Sequence, residues 1–490
     1  MCNPIKQEIM KTMKYLLIVA LALGFSTTIK AQDYKPDGTT ADIPAIKKLI
    51  SSKPDNLEKL LKPFYSKNKK NADNLVAFAR AFYEAKDTAN AKLYANYALA
   101  ASKNKCAPAF LLLGDIEALG DNGGGAAAQY EQAIYSDPRD PVAYYKYALV
   151  YRKIDKRGAM EKLEELRSIR PDIDVDGMKG HICAISKDDQ AAYEAYSKAD
   201  IAKLDRTYLT EYASACFFTG KHTDGLRVVN EAARRFPRYA TFNRLGMMFN
   251  VELKNYQDAL TFADRLFNAS DSVKVHNQEY YYQGLAFSGL QQYDKAIESY
   301  NKALSIKSDG NLVDPVRITK SISDTYRLKG DFEQAAKFYR DYLAQKQNPT
   351  FDDNEEMAKI FMQQAKDSTL TDAAKEAILA KADAVYEELG NRFPNNLRYI
   401  LYRRASIGNQ LDPDLSKGAA KPHYEKLIEM LEPKTDRDAG DTQILGTAYH
   451  YMMAYSLHIS KDVPKAKEFA SKLLAINPEH QQAKAVSELK

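Results

Sequence analysis

Small, aromatic and aliphatic positions recur along this chain at helical spacing. The clearest register lies in YYYQGLAFSGLQQYDKAIESYNKAL, where Gly284, Phe287, Tyr293, Ala296, Tyr300 and Ala303 stand at offsets 0, 3, 9, 12, 16 and 19. Steps of three and four put such residues on one helix face, so the stretch reads as two amphipathic helices around a short turn, the second over 293–306. The anchor recurs upstream at Gly246 and then at Ala213, Gly180, Tyr147 and Gly114, with 33 residues between successive anchors from 114 to 246. Further copies are read at Ala79 and Ser323, and looser ones at Ala382 with Tyr386, Tyr424 with Leu427, and Ala466 with Ala470. About eleven helical pairs are predicted. Pro138, Pro171, Pro237, Pro394 and Pro478 each follow an apolar run and lack the N–H that more helix would need.

Small residues at Gly114, Ala126, Gly246, Gly284 and Ala296 are expected where helix backbones nearly touch, with Tyr, Phe and Leu filling the space between pairs. The pattern resembles the tetratricopeptide repeat (TPR), a pair of antiparallel helices with small residues at offsets 0, 12 and 19 and large ones at 3, 9 and 16. The resemblance implies an all-α fold, a right-handed α-α superhelical solenoid of TPR-like helical hairpins. It gives about eight repeats in residues 65–344 and degenerate ones with insertions in 345–490. Residues 32–64 are expected to form two short helices capping the first repeat, because an unstacked repeat exposes its apolar face. Two segments break the rhythm: 345–372, with a helix over 354–365 that lengthens one repeat, and the Pro, Gly and Asp-rich loop 408–422. The glycine-rich 121–125 is expected to be a turn.

One stretch interests a membrane. The apolar residues 15–25 follow Lys11 and Lys14 and lead to Ala31, which reads as a secretory signal, 1–31, cut before Gln32. Eleven apolar residues are too few to span a bilayer; the alternative is a buried first helix. Translation starting at Met10 or Met13 would give the signal an ordinary length. No Cys follows it to take a lipid. This predicts export, to the periplasm or the outer-membrane or extracellular surface of a Gram-negative bacterium. Removing the signal takes away four Lys and one Glu, lowering the net charge from +5 to +2. So small a charge gives no general attraction to nucleic acid or anionic lipid.

Catalytic and metal chemistry is not readable. None of the seven His stands in a zinc motif, and His450 and His458, eight apart, read as ordinary helical positions. Cys183 and Cys216 share one offset in adjacent repeats and read, like Cys106, as small packing residues; a disulfide from Cys106 to one of them is the alternative. Adjacent acids such as Glu164 and Glu165 point about 100° apart on a helix, unlike a catalytic carboxylate pair. No cofactor, no metal and no enzymatic activity are expected.

The resemblance instead implies binding in a concave groove lined by the first helix of each pair. At the family's groove offsets stand Tyr144, Tyr151 and Arg152; His181; Thr210, Phe217 and Phe218; Asn243 and Met247; Tyr281; and Arg317, Lys320 and Arg327. That lining is aromatic toward the N-terminal half and cationic toward the C-terminal half. The Lys and Asn pairing with which chaperone-binding members hold a C-terminal carboxylate is missing. The expected function is a scaffold for protein or peptide partners of the cell envelope; the alternative is carbohydrate or nutrient binding beside an outer-membrane uptake system.

Overall fold

The computed structural model describes residues 42–306 and 312–489. The predicted signal, and the lead-in as far as residue 41, lie outside them. Up to Lys274 the chain forms one compact unit, and from Val275 a second.

In the first unit, α1 (Ile43–Ser52) and α2 (Leu57–Asn68) precede six helical hairpins: α3 (Ala72–Glu84) with α4 (Thr88–Ser102), α5 (Ala107–Leu119) with α6 (Gly123–Ser136), α7 (Pro141–Tyr151) with α8 (Lys156–Ile169), α9 (Val175–Ile185) with α10 (Asp189–Tyr196), α11 (Arg206–Phe218) with α12 (His222–Arg235), and α13 (Ala240–Glu252) with α14 (Tyr256–Asp264). A single π turn, Arg265–Ala269, prolongs α14. The second unit holds five hairpins: α15 (Asn277–Gly289) with α16 (Tyr293–Ser305), α17 (Pro315–Lys329) with α18 (Phe332–Gln345), α19 (Phe351–Gln364) with α20 (Asp372–Arg392), α21 (Leu397–Leu411) with α22 (Lys421–Leu431), and α23 (Ala439–His458) with α24 (Val463–Ile476). The short α25 (Gln481–Ser487) closes the last hairpin with Ala483 and Val486 buried. Among the described residues there is no strand. Each unit is an all-α stack of TPR-like hairpins.

Local chemistry fixes the helix ends. Asp87, Asp174, Asp188 and Asp205 accept hydrogen bonds from the amides of Asn90, Gly177, Ala191 and Tyr208, satisfying first-turn donors of α4, α9, α10 and α11. The five prolines singled out above each stand two residues beyond a second helix, after Ser136, Ile169, Arg235, Arg392 and Ile476.

The anchor glycines make room for rings, not for neighbouring backbones as expected. A Cβ on Gly284 would lie 2.5 Å from the Tyr300 ring, and one on Gly180 would lie 2.6 Å from Tyr196. Gly114 faces Tyr130 and Gly246 faces Phe262 in the same way. Offset 0 and offset 16 of one hairpin are therefore a lock and its key, and Tyr196 and Tyr300 are almost fully buried. Gly225, at offset 12, receives Phe249 of the next hairpin. Close backbone approach occurs at Gly408, where a Cβ would lie 2.7 Å from the backbone of Ala420.

Three expectations need correction. Residues 345–372 do not lengthen a repeat. They supply α19, the first helix of a complete hairpin with the 21-residue α20. This helix starts at Phe351, earlier than read, because Thr350 and Asp353 form a reciprocal capping box. The triplet Gly123, Gly124 and Gly125 forms the first turn of α6, capped by Asn122 on the Gly125 amide.

The loop read as 408–422 is shorter, because α21 runs to Leu411 and α22 starts at Lys421. It folds around the buried Asp412 carboxylate, which accepts from the amides of Lys417 and Ala419 and from the Ser416 hydroxyl. Asp412→Ala is expected to cost about 2 kcal/mol, since charge-assisted hydrogen bonds are lost and amides stranded. Faster hydrogen exchange at Lys417 and Ala419 than at α22 amides would show it; unchanged exchange would contradict this account of the loop.

Candidate partner-binding surface

Consecutive first helices of the first unit touch one another, α7 on α9 and α9 on α11. Across them three rings line up. The His181 ring of α9 lies 6.0 Å from Tyr145 of α7 at 30° and 5.2 Å from Tyr208 of α11 at 25°. Beneath them, His181 Nδ1 sits 2.8 Å and 3.0 Å from the two carboxylate oxygens of Glu211, itself only 3% exposed. The carboxylate can only accept, so Nδ1 carries the proton and Nε2 is left as the ring's other polar atom. Tyr196 completes the network, its hydroxyl donating to Glu211 Oε2 at 2.5 Å. Burial, and then the Glu211 charge, hold the Tyr196 hydroxyl well above the ordinary phenol range.

Two groups beside this stack have unmet demands. Arg152, at the end of α7, is partly buried, and no carboxylate or hydrogen-bond acceptor among the described residues meets its guanidinium. Burial lowers its pKa, and the titratable group it faces is Tyr145. The Tyr208 hydroxyl is buried without a well-formed hydrogen bond, beside that of Tyr145. Burial and then Glu211 push the Tyr145 phenol up to about 12, so it remains a neutral donor at ordinary pH.

Of the positions assigned to the groove, six are core. Tyr144, Asn243 and Met247 are 0% exposed, and His181, Thr210 and Tyr281 are also buried. Tyr144 donates to Glu165, Asn243 holds the Pro237 carbonyl and the Ser270 hydroxyl, and Thr210 bonds back to Arg206 O. The cause is register: adjacent residues of a helix point about 100° apart, and in the pair Tyr144 and Tyr145 it is the second that joins the stack. Tyr151, Arg152, Phe217 and Phe218 are partly exposed. Tyr151 packs on Tyr147 at 4.9 Å, and Phe217 meets Phe218 at 6.0 Å and Phe249 at 5.7 Å.

The cationic half is largely neutralised. Lys320 pairs with Asp324 at 2.8 Å and Arg327 with Glu356 at 2.9 Å, while Arg317 stacks 5.2 Å over Tyr281. Sequence reading missed Tyr145, Tyr208 and Glu211. A buried Glu thirty residues beyond His181 leaves no local signal, whereas the doubled Tyr at 144 and 145 was one.

Cys106, Cys183 and Cys216 are buried free thiols. Among the described residues no three His, Cys, Asp or Glu side chains gather closely enough to hold a metal, and no helix is long and apolar enough to cross a membrane. His450 meets His480, not His458, with ring centroids 5.1 Å apart beside an open cleft of about 570 Å³. His480 Nδ1 already accepts the Ala483 amide as the cap of α25. Burial and then His480 lower the His450 pKa below 6.5. An unfolded chain therefore binds this proton more readily, so stability around α25 is full above about pH 6.5 and is lost as pH falls through the lower folded value. The protection of α25 amides, taken relative to the intrinsic exchange rate at each pH, should fall from pH 7 to pH 5 in the native protein and not in His450→Gln; an equal fall in both would remove His450 from the explanation.

Two family models, each described as tetratricopeptide repeat, match the chain, one over residues 142–172 in the first unit and one over 280–309 in the second. Both units thus carry tetratricopeptide repeats. TPR domains are protein-interaction scaffolds. No curated protein matches the chain. Among solved structures it is similar to the C-terminal part of a TPR repeat-containing protein from Cytophaga hutchinsonii, at 21% identity over 57% of this chain and 100% of that one, with a TM-score of 0.42. A tetratricopeptide repeat protein from Parabacteroides merdae is 14% identical over 52% of this chain and 98% of that one, at 0.32. YrrB, described as a TPR protein with an unusual peptide-binding site, is 12% identical over 49% and 97%, at 0.26.

Proposed function

We propose that this TPR protein is an exported, non-catalytic scaffold that holds a segment of a cell-envelope protein against the first helices of its N-terminal unit. The observation that carries this reading is the Tyr145, His181 and Tyr208 stack laid across three consecutive first helices, with Arg152 two turns beyond Tyr145 at the end of α7. Aromatic faces offer large contact area at low entropic cost. The His181, Glu211 and Tyr196 network fixes the surface beforehand, so a partner binds without paying to order it. Export rests on the signal-like residues 1–31, and N-terminal sequencing of the secreted protein should begin at Gln32.

The test is a random peptide display library and a glycan array presented to the full chain and to a Tyr208→Ala, Phe217→Ala variant. Enrichment of peptides on the native protein, lost on the variant while its helix content and melting are kept, is expected. Binding confined to glycans, or peptides retained equally by the variant, would remove this reading.

A further inference from the structure

The partly buried cations of this protein generally find acceptors. Arg404 forms two 2.8 Å bonds to the two oxygens of Asp383, Arg327 reaches Glu356, Arg398 reaches Asp441, and Arg403 donates to the Tyr386 hydroxyl at 3.1 Å. Arg152 has no such partner, although water has been stripped from part of its guanidinium. Withdrawing a cation from water without an anion to meet it is costly. A guanidinium presents a planar fork of donors that matches a carboxylate. The Tyr208 hydroxyl is buried beside that of Tyr145, out of a ligand's reach, so the donors offered to a ligand here are those of Arg152. The carboxylate closest to the stack, Glu211, cannot serve Arg152, because it is buried and already holds His181 and Tyr196.

We infer that the first-helix surface of the N-terminal unit selects acidic peptide segments, taking a Glu or Asp side-chain carboxylate on Arg152 while a neighbouring apolar or aromatic residue lies on the Tyr145 and Tyr208 rings. This rests on the binding role proposed above and adds its chemical class. The stack supplies contact area without sequence preference, and the guanidinium supplies the discrimination. An amide in place of the carboxylate leaves the cation unmet, so a Glu-to-Gln change in the peptide carries most of the difference.

The test uses the full chain and the same random peptide library. Peptides recovered on the native protein are expected to be enriched in Glu and Asp, and the enrichment to disappear on Arg152→Gln. One recovered peptide is then synthesised with Glu, with Gln and with phosphoserine at the enriched position. The Glu form should bind the native protein at least about tenfold more tightly than the Gln form, and Arg152→Gln should erase that ratio. Arg152→Lys should keep a reduced ratio, since the charge remains but the fork is lost. Peptides recovered with no acidic bias, equal binding of the Glu and Gln forms, or a phosphoserine form that outbinds Glu would overturn the acidic-side-chain assignment while the peptide-binding role stands. Recovery of no peptide above background would overturn both.

Discussion

Gly284→Ala is expected to destabilise the second unit by about 2 kcal/mol, a large loss for the addition of one methyl group. The added Cβ would lie 2.5 Å from the Tyr300 ring, a separation that real Cβ atoms do not tolerate. Tyr300 is 1% exposed, so the ring cannot swing into water and the backbone must yield instead. Tyr300→Leu alone should cost about 3 kcal/mol by leaving a cavity. Together the two changes should cost less than their sum by about 1 kcal/mol, because the smaller side chain vacates the space the methyl group needs. Denaturant unfolding of the four proteins measures this coupling, and strict additivity would sink the account of the anchor glycines as ring sockets. Gly180→Ala should be no milder, since Tyr196 is also tied to Glu211 by its hydroxyl.

Glu211→Leu is expected to cost more, about 3–5 kcal/mol, from the first unit. The carboxylate serves His181 Nδ1 and the Tyr196 hydroxyl at once, and both partners are buried. Leucine is close in volume to glutamate and offers neither partner an acceptor, so two polar groups are left stranded. Glu211→Gln keeps one acceptor oxygen and should cost less than half as much. Thermal and denaturant unfolding would compare the three; a Leu variant as stable as the native protein would show that the network contributes nothing to the fold. Because His181 is held between Tyr145 and Tyr208, the Leu variant should also lose peptide binding at temperatures where its helices are intact.

The repeat was legible because its governing interactions lie within one hairpin. A glycine and an aromatic sixteen residues apart, and a proline past the second helix, are short-range marks of a local packing problem solved again and again. The surface was less legible. A face is set by rotations of 100° per residue, so an error of one position exchanges Tyr144, which is core, for Tyr145, which joins the stack. Long-range partners leave no local mark: Glu211 beneath His181, and Glu356 against Arg327, come from neighbouring hairpins. Helix length misled in the second unit: Ala382 and Tyr386 marked only the later part of the 21-residue α20, so its partner α19 read as an insertion.

The glycine sockets carry a mechanical consequence. At Gly114, Gly180, Gly246 and Gly284 the lock closes a hairpin on itself, whereas Gly225 with Phe249 joins one hairpin to the next. Four of these five sockets tighten a hairpin and one tightens a seam, and slow breathing is expected to begin between hairpins. A guest lying over α7, α9 and α11 would bridge two such seams, acting as a splint. Occupancy should therefore register as slower amide exchange along the loops 170–174 and 197–205, well away from any atom the guest touches.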